Sequence, residues 1–161
     1  MTIVRAAYRA AIWDQTLIWR KNGHALGRSD YHSEHADILY GWKAAEQGTS
    51  QHRRPPAPDL SSVWPFDRAR DTKRHPSMRP VALFANAIHN STALGDVIVD
   101  PYLGTGTTLI AAEQLQRRTI GLDLEPAEID TAIHRWQALT GIQAERFGAD
   151  GEQKAGIRLS R

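Results

Sequence analysis

Val97-Ile98-Val99-Asp100-Pro101-Tyr102-Leu103-Gly104-Thr105-Gly106-Thr107-Thr108 decides the fold of this chain, together with the run Leu109-Ile110-Ala111-Ala112-Glu113-Gln114-Leu115 that follows it. The first three residues are β-branched and apolar, which suits a strand; the last seven are mostly strong helix formers. Between them lies a bend with two glycines. The unit is strand, glycine turn, helix. Such a turn lets bare backbone approach a ligand, and the helix N-terminus offers N–H groups to negative charge. A second strand, Arg118-Thr119-Ile120-Gly121-Leu122, follows and ends at Asp123. An acid at the end of the second strand of a doubly wound sheet is placed to grip a ribose. The pair of strands therefore reads as a site for an adenosine-like cofactor.

Three loop chemistries compete for this turn. A P-loop needs Lys at the helix start, and none is there. A dinucleotide fingerprint needs a third glycine, where Leu109 stands. Asp100 before the turn would repel a pyrophosphate but suits an ammonium or other positive group. S-adenosylmethionine carries an ammonium, a sulfonium and a ribose. A plain strand-to-helix turn without a ligand is the fourth reading.

Asp100-Pro101-Tyr102-Leu103-Gly104-Thr105-Gly106-Thr107-Thr108 resembles the cofactor motif of S-adenosylmethionine-dependent DNA amino-methyltransferases, which act on adenine N6 or cytosine N4. The order is that of the beta class, with cofactor motifs C-terminal to catalytic ones. His75-Pro76-Ser77-Met78-Arg79-Pro80 resembles the His-Pro-Thr-x-Lys-Pro element of that class. Gly121-Leu122-Asp123-Leu124-Glu125-Pro126 resembles its ribose-binding strand end. Ser29-Asp30-Tyr31-His32 and Ile38-Leu39-Tyr40-Gly41-Trp42-Lys43 resemble a further stretch of the same enzymes. The resemblance implies an α/β fold: a Rossmann-like methyltransferase sheet with helices on both faces. It also implies S-adenosylmethionine as cofactor, DNA as partner, and adenine ahead of cytosine as the target.

Two departures stand out. The family commonly has His-Glu-Pro where this chain has His35-Ala36-Asp37. A one-residue shift in a strand turns a side chain to the other face, so the acid's role does not carry over. The catalytic Asp/Asn/Ser-Pro-Pro-aromatic tetrapeptide is missing; Pro55-Pro56 is flanked by Arg54 and Ala57. In the family that tetrapeptide ends a central strand beside the cofactor strand. The expectation is a C-terminal methyltransferase part lacking one central strand. Unpaired strand edges are costly when buried, so a separately encoded N-terminal half or a second copy of the chain is expected as partner.

Length fits a single domain of 161 residues. Residues 1–75 read as a partial catalytic, target-facing region with a loop at 44–62, and residues 76–161 as the cofactor-binding region. Cys is absent, which removes disulfides and thiolate metal sites and fits a reducing cytoplasm. No metal is expected, since His32 and His35 have no further ligand spacing. Net charge is +2. Residues 1–80 hold 13 Lys and Arg against 8 Asp and Glu, or +5, and residues 81–161 hold 7 against 10, or −3. The basic half favours a phosphate backbone, although a solvated surface explains it equally.

By resemblance, Ser77 and Arg79 lie near the methionine end of the cofactor. Asp100, Pro101, Tyr102, Gly104, Thr105, Gly106 and Thr107 form the turn around it, and Asp123 takes the ribose. Asp150 is a candidate for the adenine amine. Thr107 and Thr108 could instead cap the helix. Lys21, Arg28, Arg53 and Arg54 are candidates for phosphate contact. Trp19, Trp42, Trp64 and Trp136 are expected in the core. Further elements are predicted as helices over 3–11, 79–90 and 127–139, the last closed by Gly141. Strands are predicted over 14–19, 38–42, 63–66 and 144–147, with residues 148–161 fraying.

Overall fold

The computed structural model describes residues 14–24, 27–28, 30–42, 52–69, 78–149 and 152–158. The helix expected over 3–11, together with Ser77 and Asp150, lies outside them. The chain divides into two compact units, Met1–Ala93 and Leu94–Arg161.

In the first unit β1 (Gln15–Arg20) is the middle strand of three. Its alternation buries Leu17 and Trp19 on one face. Trp19 meets the cost of burying its indole N–H by donating to the Phe66 carbonyl at 2.7 Å. β2 (His35–Tyr40) pairs antiparallel with β1 along its whole length, from Gln15 opposite Tyr40 to Arg20 opposite His35. This strand starts earlier and stops earlier than the sequence suggests. The polar residues His35, Ala36 and Asp37 are carried by the ladder, while Trp42 lies beyond it. β3 (Val63–Pro65) runs parallel to β1 at the edge, where Pro65 needs no ladder donor. Residues 52–60 carry no helix or strand.

The unit closes with α1 (Val81–Ser91). Of the apolar face that Val81, Phe84, Ala85 and Ile88 share at helical spacing, Ile88 is buried and the other three are half-buried, while Leu83 and Asn90 from outside that face are buried. Thr92 ends the helix, its N–H and its hydroxyl both donating to the Ile88 carbonyl.

The second unit begins with β4 (Val97–Asp100), followed by α2 (Thr107–Gln114) and β5 (Arg118–Gly121). β4 and β5 are parallel, with Val97 opposite Arg118 and Asp100 opposite Gly121. Residues Thr107 to Ala112 of α2 are all buried, Ala111 and Ala112 completely, so small side chains let the helix sit close on β5. Val97, Val99 and Ile120, on the alternate face of the two strands, are exposed.

α3 (Pro126–Thr140) starts with Pro at its first position, and Gly141 closes it at φ 74, its N–H on the Gln137 carbonyl. Trp136 of α3 is 1% exposed and its indole donates to Glu113 of α2 at 3.1 Å, joining the two helices.

β6 (Glu145–Ala149) turns back on β7 (Glu152–Arg158) as an antiparallel hairpin. The expected fraying after 148 is thus replaced by a strand. Among the described residues the strands form three separate ladders, β2-β1-β3, β4-β5 and β6-β7.

Candidate cofactor site

The turn after β4 is shaped by bonds to its own neighbours. Leu122 N–H donates to the Asp100 carbonyl and Leu103 N–H to the Leu122 carbonyl, both at 2.9 Å, so the turn continues the β4–β5 ladder. Gly106 N–H then folds back on the Leu103 carbonyl at 3.0 Å. Gly104 (φ 51) and Gly106 (φ 80) both sit in the left-handed region, which costs an L-residue steric strain.

The two glycines differ in what surrounds them. A Cβ on Gly106 would come within 2.6 Å of Ala132 Cβ, so this position is bare because α3 packs against it. A Cβ on Gly104 would meet nothing within 4 Å. Gly104 therefore faces open space, where a ligand can reach main chain.

Three side chains hold this backbone. Asp100 Oδ1 accepts from Tyr102 N–H at 3.0 Å and Oδ2 from the Thr108 hydroxyl at 2.5 Å. Asp123 Oδ2 accepts from Gly104 N–H at 2.8 Å and Oδ1 from Glu125 N–H at 3.0 Å. The bonds from Glu125 and then Gly104 hold the Asp123 carboxyl below its ordinary value, so it stays ionised. Arg135 of α3 donates through Nη1 to the Thr105 carbonyl, and to Thr105 Oγ1 at 3.2 Å.

Sequence reasoning named Asp100 and Asp123 as ligand contacts. The structure shows each first as a brace for the turn, with carboxylate lone pairs to spare. Thr108 caps no helix; its hydroxyl serves Asp100, and the cap residue of α2 is Gly106, with no side-chain cap bond. Thr105 and Thr107 are buried, Pro101 is exposed, and Tyr102 is 82% exposed beside the turn. Arg135 was not visible as a turn residue, being 30 positions from Thr105. The spacing of Arg135 one turn after Thr131 and Ala132 on α3 is the only signal that could have found it.

The expected DNA contacts lie in the first unit. Arg28, Arg53 and Arg54 are exposed. Lys21 Nζ donates to the His35 carbonyl at 2.9 Å and sits 5.3 Å over the Trp19 ring. Partial burial, then the positive charges of Arg68 and Arg79, hold Lys21 below its ordinary value. Arg79, expected at the cofactor, thus shares a basic neighbourhood with Lys21 and Arg68. Trp42 and Trp64 are half-buried rather than core; the Trp64 indole donates to the Ser61 carbonyl at 2.9 Å.

This architecture has known counterparts. The complex of M1.HpyAVI with SAM superposes with a TM-score of 0.67 at 23% identity, over 83% of this chain and 70% of that one. PvuII DNA methyltransferase, which is cytosine-N4-specific, gives 0.64 at 17% identity over 83% and 55%. Both likenesses establish a Rossmann-like methyltransferase fold. In sequence, the type II methyltransferase M.HpaI of Haemophilus parainfluenzae is 34% identical over 79 residues, 47% of this chain and 25% of the relative. M2.DpnII of Streptococcus pneumoniae, also a type II methyltransferase, is 35% identical over 83 residues, 49% of this chain and 31% of the relative. The chain thus spans between a quarter and a third of the length of these curated relatives. The family model for DNA methylases of the N6/N4 type matches residues 9–134, most of the chain, and the protein belongs to that family.

Proposed function

We propose that the chain binds S-adenosylmethionine at the β4–α2 turn and serves in methylation of an exocyclic amine in DNA, adenine ahead of cytosine. The observation that carries this reading is Gly104. It holds the left-handed region that other residues avoid, is braced by Asp123, and is open on its outer side. Gly23, Gly95 and Gly141 are open glycines at positive φ as well; what sets Gly104 apart is its N–H bond to the Asp123 carboxylate just past β5. The presence of SAM in the M1.HpyAVI complex and the type II methyltransferase relatives support the same reading.

The residues present fit the cofactor's chemistry. Asp100 and Asp123 keep lone pairs for an ammonium and for ribose hydroxyls, and Tyr102 offers an exposed ring beside them. Ser77 and Arg79 are assigned to the methionine end and Asp150 to the adenine amine. The donor supplies a methyl that passes from sulfonium to the exocyclic nitrogen, which loses a proton. The chain's share is positioning, which can account for much of such an acceleration. Lys21, Arg28, Arg53 and Arg54 are assigned to the phosphate backbone.

The tetrapeptide that would hold the target amine is missing from the 161 residues. That favours action with a second polypeptide carrying it; a second copy of the chain, which lacks it too, would serve only to pair an open strand edge. A non-catalytic cofactor- or DNA-binding remnant is the alternative that the same absence supports. Transfer of labelled methyl to DNA and to RNA, with and without a tetrapeptide-bearing polypeptide, tests these readings. Label in DNA but not RNA, dependent on the added polypeptide, is expected. Label in RNA alone overturns the substrate, and no label in any mixture leaves the remnant reading.

A further inference from the structure

A cluster of rings gathers at the C-terminal end of β2 in the first unit. Trp42 and His52 are stacked with centroids 3.6 Å apart and planes 13° apart. Tyr40 stands edge-on to both, at 5.8 Å and 60° to Trp42 and 6.1 Å and 62° to His52. Its hydroxyl lies 2.8 Å from His52 Nε2, which fixes the imidazole plane. Burial, then the Asp14 charge, raises the Tyr40 value, so the phenol stays protonated at neutral pH and keeps this bond.

The stack is not among the buried side chains of this unit. Those include Leu17, Trp19, Leu83 and Ile88, whereas Tyr40, Trp42 and His52 are only half-buried. Trp42 lies past the end of β2 and belongs to no ladder. Next to His52 in sequence come Arg53 and Arg54, both exposed, followed by Pro55 and Pro56, whose fixed φ stiffens the backbone that presents them.

We propose that the Trp42–His52 stack is a seat for an unpaired nucleobase, with Arg53 and Arg54 on the adjoining phosphates. The spacing of the two rings is close to the roughly 3.4 Å rise between stacked bases, so the pair already has the pitch at which a base leaving its helix would add a further ring. Aromatic platforms flanked by basic residues bind single-stranded or extruded bases this way, with little regard to sequence. The seat rests on DNA being the substrate, and it adds a contact that needs neither the cofactor turn nor the missing tetrapeptide. The competing explanation is a ring pair that only ties together two chain segments.

The test uses the full chain and three duplexes of one sequence: fully paired, with one bulged adenine, and with an abasic residue in the bulge. Binding is read by fluorescence anisotropy. The wild-type chain is expected to favour the bulged adenine over the abasic bulge by about 5- to 150-fold, the range for one stacked base. Trp42→Ala and His52→Ala should abolish that preference while leaving the paired duplex unaffected. His52→Phe, which keeps a ring but not the bond to Tyr40, should retain most of it and shows that the fold tolerates change there. Arg53→Ala should weaken all three duplexes alike. Binding to the paired duplex without any preference, or a preference that survives both alanine variants, overturns the seat alone. A wild-type chain that binds none of the three duplexes overturns the DNA reading with it.

Discussion

Replacing Gly106 by alanine separates the packing role of this turn from its ligand role. At φ 80 the new side chain is strained, by about 1–2 kcal/mol for an L-residue in the left-handed region. Its Cβ would also lie 2.6 Å from Ala132 Cβ and 3.0 Å from Ala132 Cα. One of those atoms is backbone, so α3 must shift, and overpacking of this kind costs about 1–3 kcal/mol. Together the loss is about 2–5 kcal/mol, or about 1–3 M in the urea midpoint at a slope near 1.5 kcal/mol/M. Gly104→Ala shares the strain but meets no atom within 4 Å, so its loss should stay at about 1–2 kcal/mol. Adding Ala132→Gly to Gly106→Ala removes the 2.6 Å contact but leaves the Cα at 3.0 Å, so it should return part of the steric loss, less about 1 kcal/mol for glycine inside a helix. Urea unfolding followed by circular dichroism on the four chains reads these differences. Equal midpoints for Gly106→Ala and Gly104→Ala, or no rescue by Ala132→Gly, would refute the assignment of Gly106 to packing.

Three further outcomes follow from the same contacts. Arg135→Ala removes the charged donor from Thr105, a class of bond worth about 1.5–3 kcal/mol; cofactor affinity measured by calorimetry should fall by up to about 150-fold, and an unchanged affinity would mean the turn does not need this brace. Asp123 has its folded value below the ordinary 3.8, so its contribution to stability is complete above pH 3.8 and is lost as the pH drops through the lower folded value. Unfolding midpoints at pH 6 and pH 2.5 should therefore differ less in Asp123→Asn than in the wild type. Trp136→Phe keeps most of the buried ring but deletes the donor to Glu113, and thermal unfolding should show a loss of about 1–3 kcal/mol.

What could be read from sequence was set by short-range patterns. The β-branched and aromatic residues of β1, the Val97–Val99 run as a strand, and Gly141 as the stop of α3 all act within a few residues, and each of these elements lies where the sequence places it. β2 was displaced because antiparallel pairing with β1 recruits His35 and Asp37, whose own strand preference is weak. Burial of Leu83 and Asn90 in α1, off the face that holds Ile88, depends on partners that are not written in the helix's own sequence. β7 was missed because only its pairing with β6 makes a strand of that polar segment.

In the candidate site the glycine pair was legible, but not the division between them. That difference depends on Ala132, 26 residues beyond Gly106 in the chain. The carboxylates were legible as well. Their bonds to Tyr102, Thr108, Gly104 and Glu125 were not, since side-chain direction at a strand end is settled by the turn itself. Arg135 reaches Thr105 only because α3 packs alongside the turn.

The most direct measurement is calorimetric titration of the chain with S-adenosylmethionine, beside NAD and ATP as competitors for a glycine turn. Saturable heat with a stoichiometry of one is expected for the methyl donor and none for the other two. Gly104→Leu, whose side chain would fill the open space at the turn, should lose that heat. Heat from NAD or ATP in place of the methyl donor, or undiminished heat in Gly104→Leu, would contradict binding of S-adenosylmethionine at this turn.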